Sequence, residues 1–366
     1  MSDAPLVLMM AGGTGGHVYP ALAVADALKV RGYRIAWIGT ARGLEARVVP
    51  TAGYELYTLP VRGVRGKNIA ATVLGVLLLC WSCLRAVHLV WRLAPSCVVG
   101  MGGYVAGPAG LAAWLLRKPL LIHEQNAVAG STNRLLAPLA RCVATGFPGA
   151  FAESQRVNVV GNPVRLALLE AANQQLWDYR GQRPLQLLVL GGSLGAQPLN
   201  VLVPEVARHL HKRLGESAVH IRHQSGQGHA DSVRADYGVL LGEGVEVIAF
   251  IEDMAAAYAW ADVVICRSGA LTVAELAIMG RPALLIPLPH AIDDHQTANA
   301  RALSDRGAAL LLRQAELTAK DVAATLAGYI SSPKRLAAMA AAASAAALPQ
   351  ATARVADLCE ELIRND

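Results

Sequence analysis

Aromatic residues are scarce in this chain: three Phe, six Trp and nine Tyr among 366 positions, with charged side chains at 16%. So little charge beside 54% hydrophobic residues excludes a disordered chain and leaves an Ala/Leu/Val-rich globular protein. Cysteine is sparse as well, limited to Cys80, Cys83, Cys97, Cys142, Cys266 and Cys359. Only Cys80 and Cys83 lie close together, inside an apolar run. No second pair or histidine cluster completes a redox or metal site around them, so they read as reduced thiols of a cytosolic protein. No secretory leader is expected, because residues 1–5 carry no basic region and the apolar stretch 6–11 is too short. The longest apolar run, 69–84, is closed by Arg85 and falls short of the ~20 residues of a bilayer span. A single-pass anchor is therefore not expected; so apolar a segment either suits a membrane surface or packs as core. Two nucleotide-binding fingerprints are also missing. The chain has no G-x-x-x-x-G-K-[ST], which excludes a P-loop NTPase, and its two glycine loops lack G-x-G-x-x-G, which disfavours a dehydrogenase.

A chain of this length exceeds one ordinary hydrophobic core, so two domains are expected. Apolar strand-like runs at 6–11, 34–39, 97–100, 120–123, 142–145 and 158–160 alternate with helical patterns, the first helix running over 19–30. A second series follows at 185–190, 218–223, 245–250, 263–266 and 283–287, with helices at 201–214, 336–348 and 352–363. Such alternation predicts α/β architecture with parallel, doubly wound sheets. Each half opens alike: a strand, then Gly12-Gly13-Thr14-Gly15-Gly16-His17 or Gly191-Gly192-Ser193-Leu194-Gly195-Ala196, then a helix. The repetition suggests two similar domains joined through the turn-forming Gly161-Asn162-Pro163-Val164-Arg165. Charge is uneven between them. Residues 1–160 hold 15 Lys/Arg against 6 Asp/Glu, a net +9, and residues 161–366 hold 18 against 21, a net −3. A basic half carrying an apolar segment fits anionic lipid or a phosphate-bearing acceptor better than nucleic acid, since the basic residues are scattered and no nucleic-acid motif is present.

Glycines ahead of a helix N-terminus leave backbone N–H groups to hold phosphate, aided by the helix dipole. Both loops could instead be tight turns only. His17 stands where the first helix begins; it is a candidate base for a hydroxyl nucleophile, and the positive helix end favours its neutral ring. Two further polar segments follow strands, at the sheet edge where α/β proteins bind ligands. These are His123-Glu124-Gln125-Asn126 and Arg267-Ser268-Gly269-Ala270-Leu271-Thr272-Val273-Ala274-Glu275. In the second, a helix opening at Gly269 offers N–H groups to a diphosphate, and the Glu275 carboxylate could accept both ribose hydroxyls. Asp293-Asp294-His295-Gln296-Thr297-Ala298-Asn299 opens a further helix with groups suited to sugar hydroxyls. Its acidic pair could be ordinary helix N-terminal charge, and no spacing supports a metal there.

Six motifs occur in order: Gly-Gly-Thr-Gly-Gly-His at 12–17, Gly-Gly-Tyr-Val-Ala-Gly-Pro at 102–108, His-Glu-Gln-Asn at 123–126, Gly-Asn-Pro-Val-Arg at 161–165, Gly-Gly-Ser-Leu-Gly-Ala at 191–196 and Arg-Ser-Gly-Ala-Leu-Thr-Val-Ala-Glu at 267–275. Together, over nearly the whole chain, they resemble the MurG family of bacterial N-acetylglucosaminyltransferases. The resemblance implies a GT-B fold of two Rossmann-like domains facing a cleft. Residues 1–162 would form the acceptor- and membrane-facing domain and 163–345 the UDP-sugar domain, with 346–366 a helix returning to the first. It implies inverting transfer from UDP-GlcNAc to the C4 hydroxyl of undecaprenyl-diphosphate-linked muramoyl-pentapeptide, in peptidoglycan synthesis and hence cell shape and division. The enzyme would work peripherally on anionic lipid at the cytoplasmic face of the inner membrane. Donor contacts carried over fall at Thr14, Gly15, Gly16, Asn126, Arg165, Ser193, Ile251, Ala270, Leu271, Thr272, Val273, Ala274 and Glu275. His295 and Gln296 stand where the family often has two glutamines. Acceptor contacts fall at Gly13, Thr14, His17 and Tyr104. His17 is the first choice of base and Glu124 the second; the helix at Gly269, the Ser193 loop and Arg165 would face the leaving diphosphate. No cofactor or metal is required by this scheme. Rival readings are a diacylglycerol glycosyltransferase, a sugar-nucleotide epimerase, or a non-catalytic subunit that only binds nucleotide sugar.

Overall fold

The structure, a computed structural model, describes residues 4–61, 69–192, 195–242, 244–289 and 291–366, with backbone only at 69–74, 216 and 292. Ser193, Arg62, Arg65 and Lys67 lie outside the described residues. The chain divides into two compact units, Met1–Arg165 with Pro349–Asp366, and Leu166–Leu348. The sequence put the changeovers slightly earlier, at 162/163 and 345/346. Val164 is buried with the first unit, and the Thr352 hydroxyl reaches its carbonyl at 3.4 Å.

The first unit runs β1 (Leu6–Met10), α1 (Gly15–Val30), β2 (Arg34–Gly39), α2 (Glu45–Thr51), β3 (Glu55–Thr58), α3 (Ile69–Leu93), β4 (Cys97–Gly100), α4 (Ala106–Leu115), β5 (Leu120–Glu124), α5 (Ser131–Leu136), β6 (Cys142–Thr145) and β7 (Val157–Val159). Its strands form one parallel sheet in the order β3-β2-β1-β4-β5-β6-β7. β1, β4, β5 and β6 are buried along their whole length, as expected of strands covered on both faces by helices. Strand order reverses between β1 and β4, whose registers run Met10↔Gly100, so the crevice beyond their carboxyl ends is the ligand position of a doubly wound sheet.

The second unit runs α6 (Leu166–Gln174), β8 (Leu185–Leu190), α7 (Gln197–Leu214), β9 (Val219–Gln224), α8 (Ala230–Tyr237), β10 (Val245–Ile248), α9 (Met254–Trp260), β11 (Val263–Cys266), α10 (Ala270–Ile278), β12 (Ala283–Leu285), α11 (His295–Ser304), β13 (Ala309–Leu311), α12 (Ala319–Ser331) and α13 (Pro333–Ala345). The order β10-β9-β8-β11-β12-β13 places its reversal between β8 and β11. The last helix, α14 (Ala351–Arg364), buries Val355, Ala356 and Cys359 in the first unit's core beside Val24, Ala25 and Leu28 of α1.

Two strands were not picked out from sequence. β3 is a sheet edge of four residues with no buried side chain and no continuous apolar run, whereas β13 is an edge of three within the short apolar stretch 308–312, which is too brief to mark as strand by pattern alone. A further difference concerns 69–84. The helix does not stop at Arg85 but continues to Leu93, and Gly75–Leu93 is long and apolar enough, by length and composition, to cross a membrane. Ser82, Ala86, Leu89 and Val90 form one buried row, with α4 packed alongside. The opposite row is apolar too, with Leu77, Trp81, Leu84 and Trp91 exposed by 61, 55, 65 and 68%. Arg85 and Arg92 are exposed, so neither charge interrupts the helix.

Candidate active site

The first glycine loop leaves β1 at the reversal point. Thr14 caps α1 in extended geometry, and its carbonyl accepts from the amides of His17 and Val18 at 3.1 and 3.2 Å. The earlier amides of the first turn have no intrahelical acceptor, which makes this corner suited to negative oxygen. Gly13 and Thr14 are exposed; Gly15, Gly16 and His17 are half-buried. Beneath the loop lies Glu45, fully buried, accepting from Gly13 N and Thr40 N at 2.9 Å and from the Thr40 hydroxyl at 2.6 Å. Burial alone would raise this carboxyl, but the Thr40 hydroxyl and the amide donors reverse that and hold it below its ordinary value. The turn after β4 closes over the loop. Gly102 and Gly103 have φ of +95° and +85°; a Cβ on Gly102 would come 2.7 Å from His17 Nδ1, and one on Gly103 would overlap the Gly12 carbonyl. Tyr104 follows, exposed at the tip of this turn.

Around His17 the polar groups form a chain. His17 Nδ1 lies 2.9 Å from Gln125 Oε1; Gln125 Nε2 lies 3.0 Å from the Met101 carbonyl and 3.1 Å from His123 Nδ1; His123 Nε2 lies 2.9 Å from the Gly161 carbonyl. Burial pushes His123 down to about 4, so its ring is neutral at physiological pH. Glu124, also buried, is saturated. One oxygen accepts from Asn126 N and Nδ2, at 3.0 and 3.1 Å, and the other from Gly130 N and Asn133 Nδ2, at 3.0 and 2.9 Å. A carboxylate with four N–H donors anchors the loop 125–133. Arg165 stacks its guanidinium over the Tyr19 ring of α1 at 5.3 Å, and that ring lies against Gly15. Thr14, Gly15, Gly16, Asn126 and Arg165 thus belong to the first unit.

In the second unit the remaining described candidates gather at the carboxyl edge of the sheet. Gln224, at the end of β9, donates to Gly192 O at 2.9 Å and accepts from Ile251 N at 3.2 Å, tying the second glycine loop to Ile251. Asn200 of α7 donates to Ser225 O at 2.9 Å and accepts from His223 Nε2 at 3.1 Å, while Tyr237 donates to His223 Nδ1 at 2.9 Å. His223, like His123, is lowered to about 4 by burial. Beyond β11, Gly269 caps α10 in extended geometry. Leu271, Thr272 and Ala274 are half-buried, whereas Ala270 is buried and Val273 belongs to the core, so a ligand would meet these two through backbone. Glu275 is nearly buried and accepts from the Tyr258 hydroxyl at 3.0 Å. The buried Ser268 hydroxyl donates to Gln296 O at 2.8 Å, joining the start of α10 to that of α11. Gln296 Oε1 accepts from Leu288 N at 2.9 Å. His295 opens α11 directly after Asp293 and Asp294, both left-handed at φ of +54° and +50°, a backbone cost concentrated beside a candidate ligand contact. Among the described residues no group of three or more His, Cys, Asp and Glu is placed to hold a metal.

Two residues of this arrangement were given no role from sequence. Gln125 was visible only as one member of a polar segment after a strand. Glu45 was not singled out at all, and nothing local signals that a loop 32 residues upstream would sit on it.

Both halves match family models, the N-terminal domain of glycosyltransferase family 28 over residues 7–145 and its C-terminal domain over 186–359. The UDP-N-acetylglucosamine–N-acetylmuramyl-(pentapeptide) pyrophosphoryl-undecaprenol N-acetylglucosamine transferase of Azotobacter vinelandii is 50% identical over 359 residues, 98% of this chain and 99% of its own. A crystal structure of Acinetobacter baumannii MurG matches with a TM-score of 0.80 and 40% identity, covering 98% of this chain and 99% of that one. The UDP-GlcNAc 2-epimerase of Neisseria meningitidis matches with a TM-score of 0.64 but 14% identity over 97% and 100%, a likeness of fold alone. Two parallel-sheet units with a glycine loop at each reversal point, both domain matches and near-full-length identity to such a transferase lead to one conclusion: the chain belongs to glycosyltransferase family 28.

Proposed function

We propose that this enzyme transfers N-acetylglucosamine from UDP-GlcNAc to the C4 hydroxyl of undecaprenyl-diphosphate-linked muramoyl-pentapeptide (lipid I), with inversion, forming lipid II. The observation that carries the catalytic assignment is the His17 ring, set at the head of α1 with Nδ1 engaged by Gln125. Among the described residues its Nε2 has no hydrogen-bond partner, so that nitrogen can take the proton of the attacking hydroxyl. The acceptor oxygen forms its bond to the sugar C1 as the bond from C1 to the diphosphate oxygen breaks, and UDP leaves with the electron pair. The charge on the departing diphosphate is met by the first turn of α10, by the loop containing Ser193 and by Arg165. Ile251, the segment from Ala270 to Glu275, His295 and Gln296 hold nucleoside and sugar, with Glu275 on the ribose hydroxyls. Gly13, Thr14, His17 and Tyr104 meet the acceptor, and Gly15, Gly16 and Asn126 approach the donor. His17 ranks above Glu124 as base because the four N–H donors on Glu124 occupy the lone pairs a proton would need. The scheme uses no cofactor or metal ion.

The enzyme works peripherally at the cytoplasmic face of the membrane. Supporting this are the exposed row Leu77, Trp81, Leu84 and Trp91, the exposed Trp114 and Leu115 of α4, and exposed Arg85, Arg92 and Arg117. A helix anchored to its domain by one face and apolar on the other suits the plane of the interface, where each cation adds about 1 kcal/mol on anionic lipid. Turnover of UDP-GlcNAc with a short-chain lipid acceptor tests the assignment. His17→Ala should lower kcat by roughly 10²–10⁴-fold with donor affinity retained. Near-full turnover in His17→Ala, together with an inactive Glu124→Gln, would transfer the base role to Glu124.

A further inference from the structure

We propose that Gln125 is a positioning residue that locks His17 in the tautomer with Nδ1 protonated and Nε2 bare. The assignment follows from the two ends of the hydrogen-bonded chain, where backbone carbonyls can only accept. Gly161 O lies 2.9 Å from His123 Nε2, so that nitrogen carries a proton. Because the His123 ring is buried and neutral, its Nδ1 is then a bare acceptor, and the group 3.1 Å away must donate. That group is the Gln125 amide nitrogen, whose other close neighbours, Met101 O at 3.0 Å and His123 O at 3.4 Å, are acceptors as well. The side-chain amide is thereby oriented with no freedom to flip, and Asn162 Nδ2 donates to the main-chain carbonyl of Gln125 at 3.0 Å, holding the backbone from which it projects. Gln125 Oε1 is left facing His17 Nδ1 at 2.9 Å and can only accept. His17 Nδ1 must therefore donate, which leaves Nε2 with a lone pair. A neutral imidazole that chooses its own tautomer puts its proton on either nitrogen, and only one form is a base at Nε2. Carboxylates commonly fix histidine tautomers; here an uncharged amide does so, without adding a negative charge beside a site that receives diphosphates.

This inference rests on His17 as the base, but its test is separable. The full-length enzyme labelled with ¹⁵N-histidine is examined by two-bond ¹H–¹⁵N correlation, with the His17 signals assigned by their loss in His17→Gln. The wild type should show protonated Nδ1 and bare Nε2 at His17. In Gln125→Met the ring should become a mixture of tautomers, with kcat down roughly 10- to 100-fold, less than loss of the base itself, and KM for UDP-GlcNAc within about twofold. Gln125→Glu, which can still accept from Nδ1, should keep the wild-type tautomer and more of the activity than Gln125→Met. A wild-type spectrum with the proton on Nε2 overturns the proposal without any variant having to fold. So does a Gln125→Met spectrum unchanged from wild type. Full activity in His17→Ala would refute the base assignment while leaving the tautomer result to stand on the spectra.

Discussion

Replacing Glu45 by glutamine removes one charge and alters no volume, yet it should disable the first glycine loop. Gly13 N depends on one carboxylate oxygen, and Thr40 N with the Thr40 hydroxyl on the other. An amide has a single oxygen. Turned toward Thr40, it sets its NH₂ against the Gly13 N–H; turned toward Gly13, it sets NH₂ against the Thr40 N–H. The Thr40 hydroxyl offers little relief, since it already accepts from Gly43 N at 3.1 Å. Either way one part-buried backbone donor loses a charge-assisted bond, a loss of about 3 kcal/mol. Across a unit of this size that lowers the melting temperature by roughly 6–12 °C. Because either orientation loosens the support beneath the loop bearing His17, kcat should fall at least roughly tenfold while UDP binding, assigned mainly to the second unit, is largely retained. Differential scanning calorimetry, UDP titration calorimetry and lipid II turnover read the three quantities. A Glu45→Gln enzyme that melts within a degree of wild type and turns over normally would refute the claim that this carboxylate supports the loop.

His123 and His223 are each lowered from 6.5 to about 4 by burial, so between those values the unfolded chain binds protons that the folded chain refuses. Stability is then full above pH 6.5 and declines as pH falls toward 4, by about 3 kcal/mol for each ring. Urea unfolding at pH 7.5, 6 and 5 measures it, and a midpoint independent of pH contradicts it. Gly103→Ala forces a side chain into left-handed backbone, at about 1–2 kcal/mol, and against the Gly12 carbonyl. Turnover should drop roughly 100-fold with UDP affinity unchanged, and a drop below twofold would mean that the two turns are not in rigid register. Trp81→Glu with Trp91→Glu should weaken co-sedimentation with anionic vesicles at least tenfold while leaving UDP-GlcNAc binding intact; undiminished sedimentation would place the membrane contact elsewhere.

Much was decided by sequence alone. Short, largely apolar runs at Arg34–Gly39, Cys97–Gly100, Cys142–Thr145, Leu185–Leu190 and Val263–Cys266 are strands over those same residues, because a strand covered on both faces must be mostly apolar. Two glycine loops between strand and helix were equally plain, since a turn that tight and that close to a neighbouring backbone leaves few residue types able to occupy it. Tertiary structure decided what local pattern does not encode. The edge strands β3 and β13 exist because a neighbour completes their hydrogen bonds. α3 shows apolar residues on all sides, and only its packing on the domain separates a core row from an exposed one. Glu45 and Gln125 acquire their places through strand order, which brings α2 beneath a loop 32 residues away and the end of β5 beside His17, 108 residues away. Hydrogen bonding of buried polar groups depends on such long-range meetings, whereas apolar periodicity acts over one or two turns of chain.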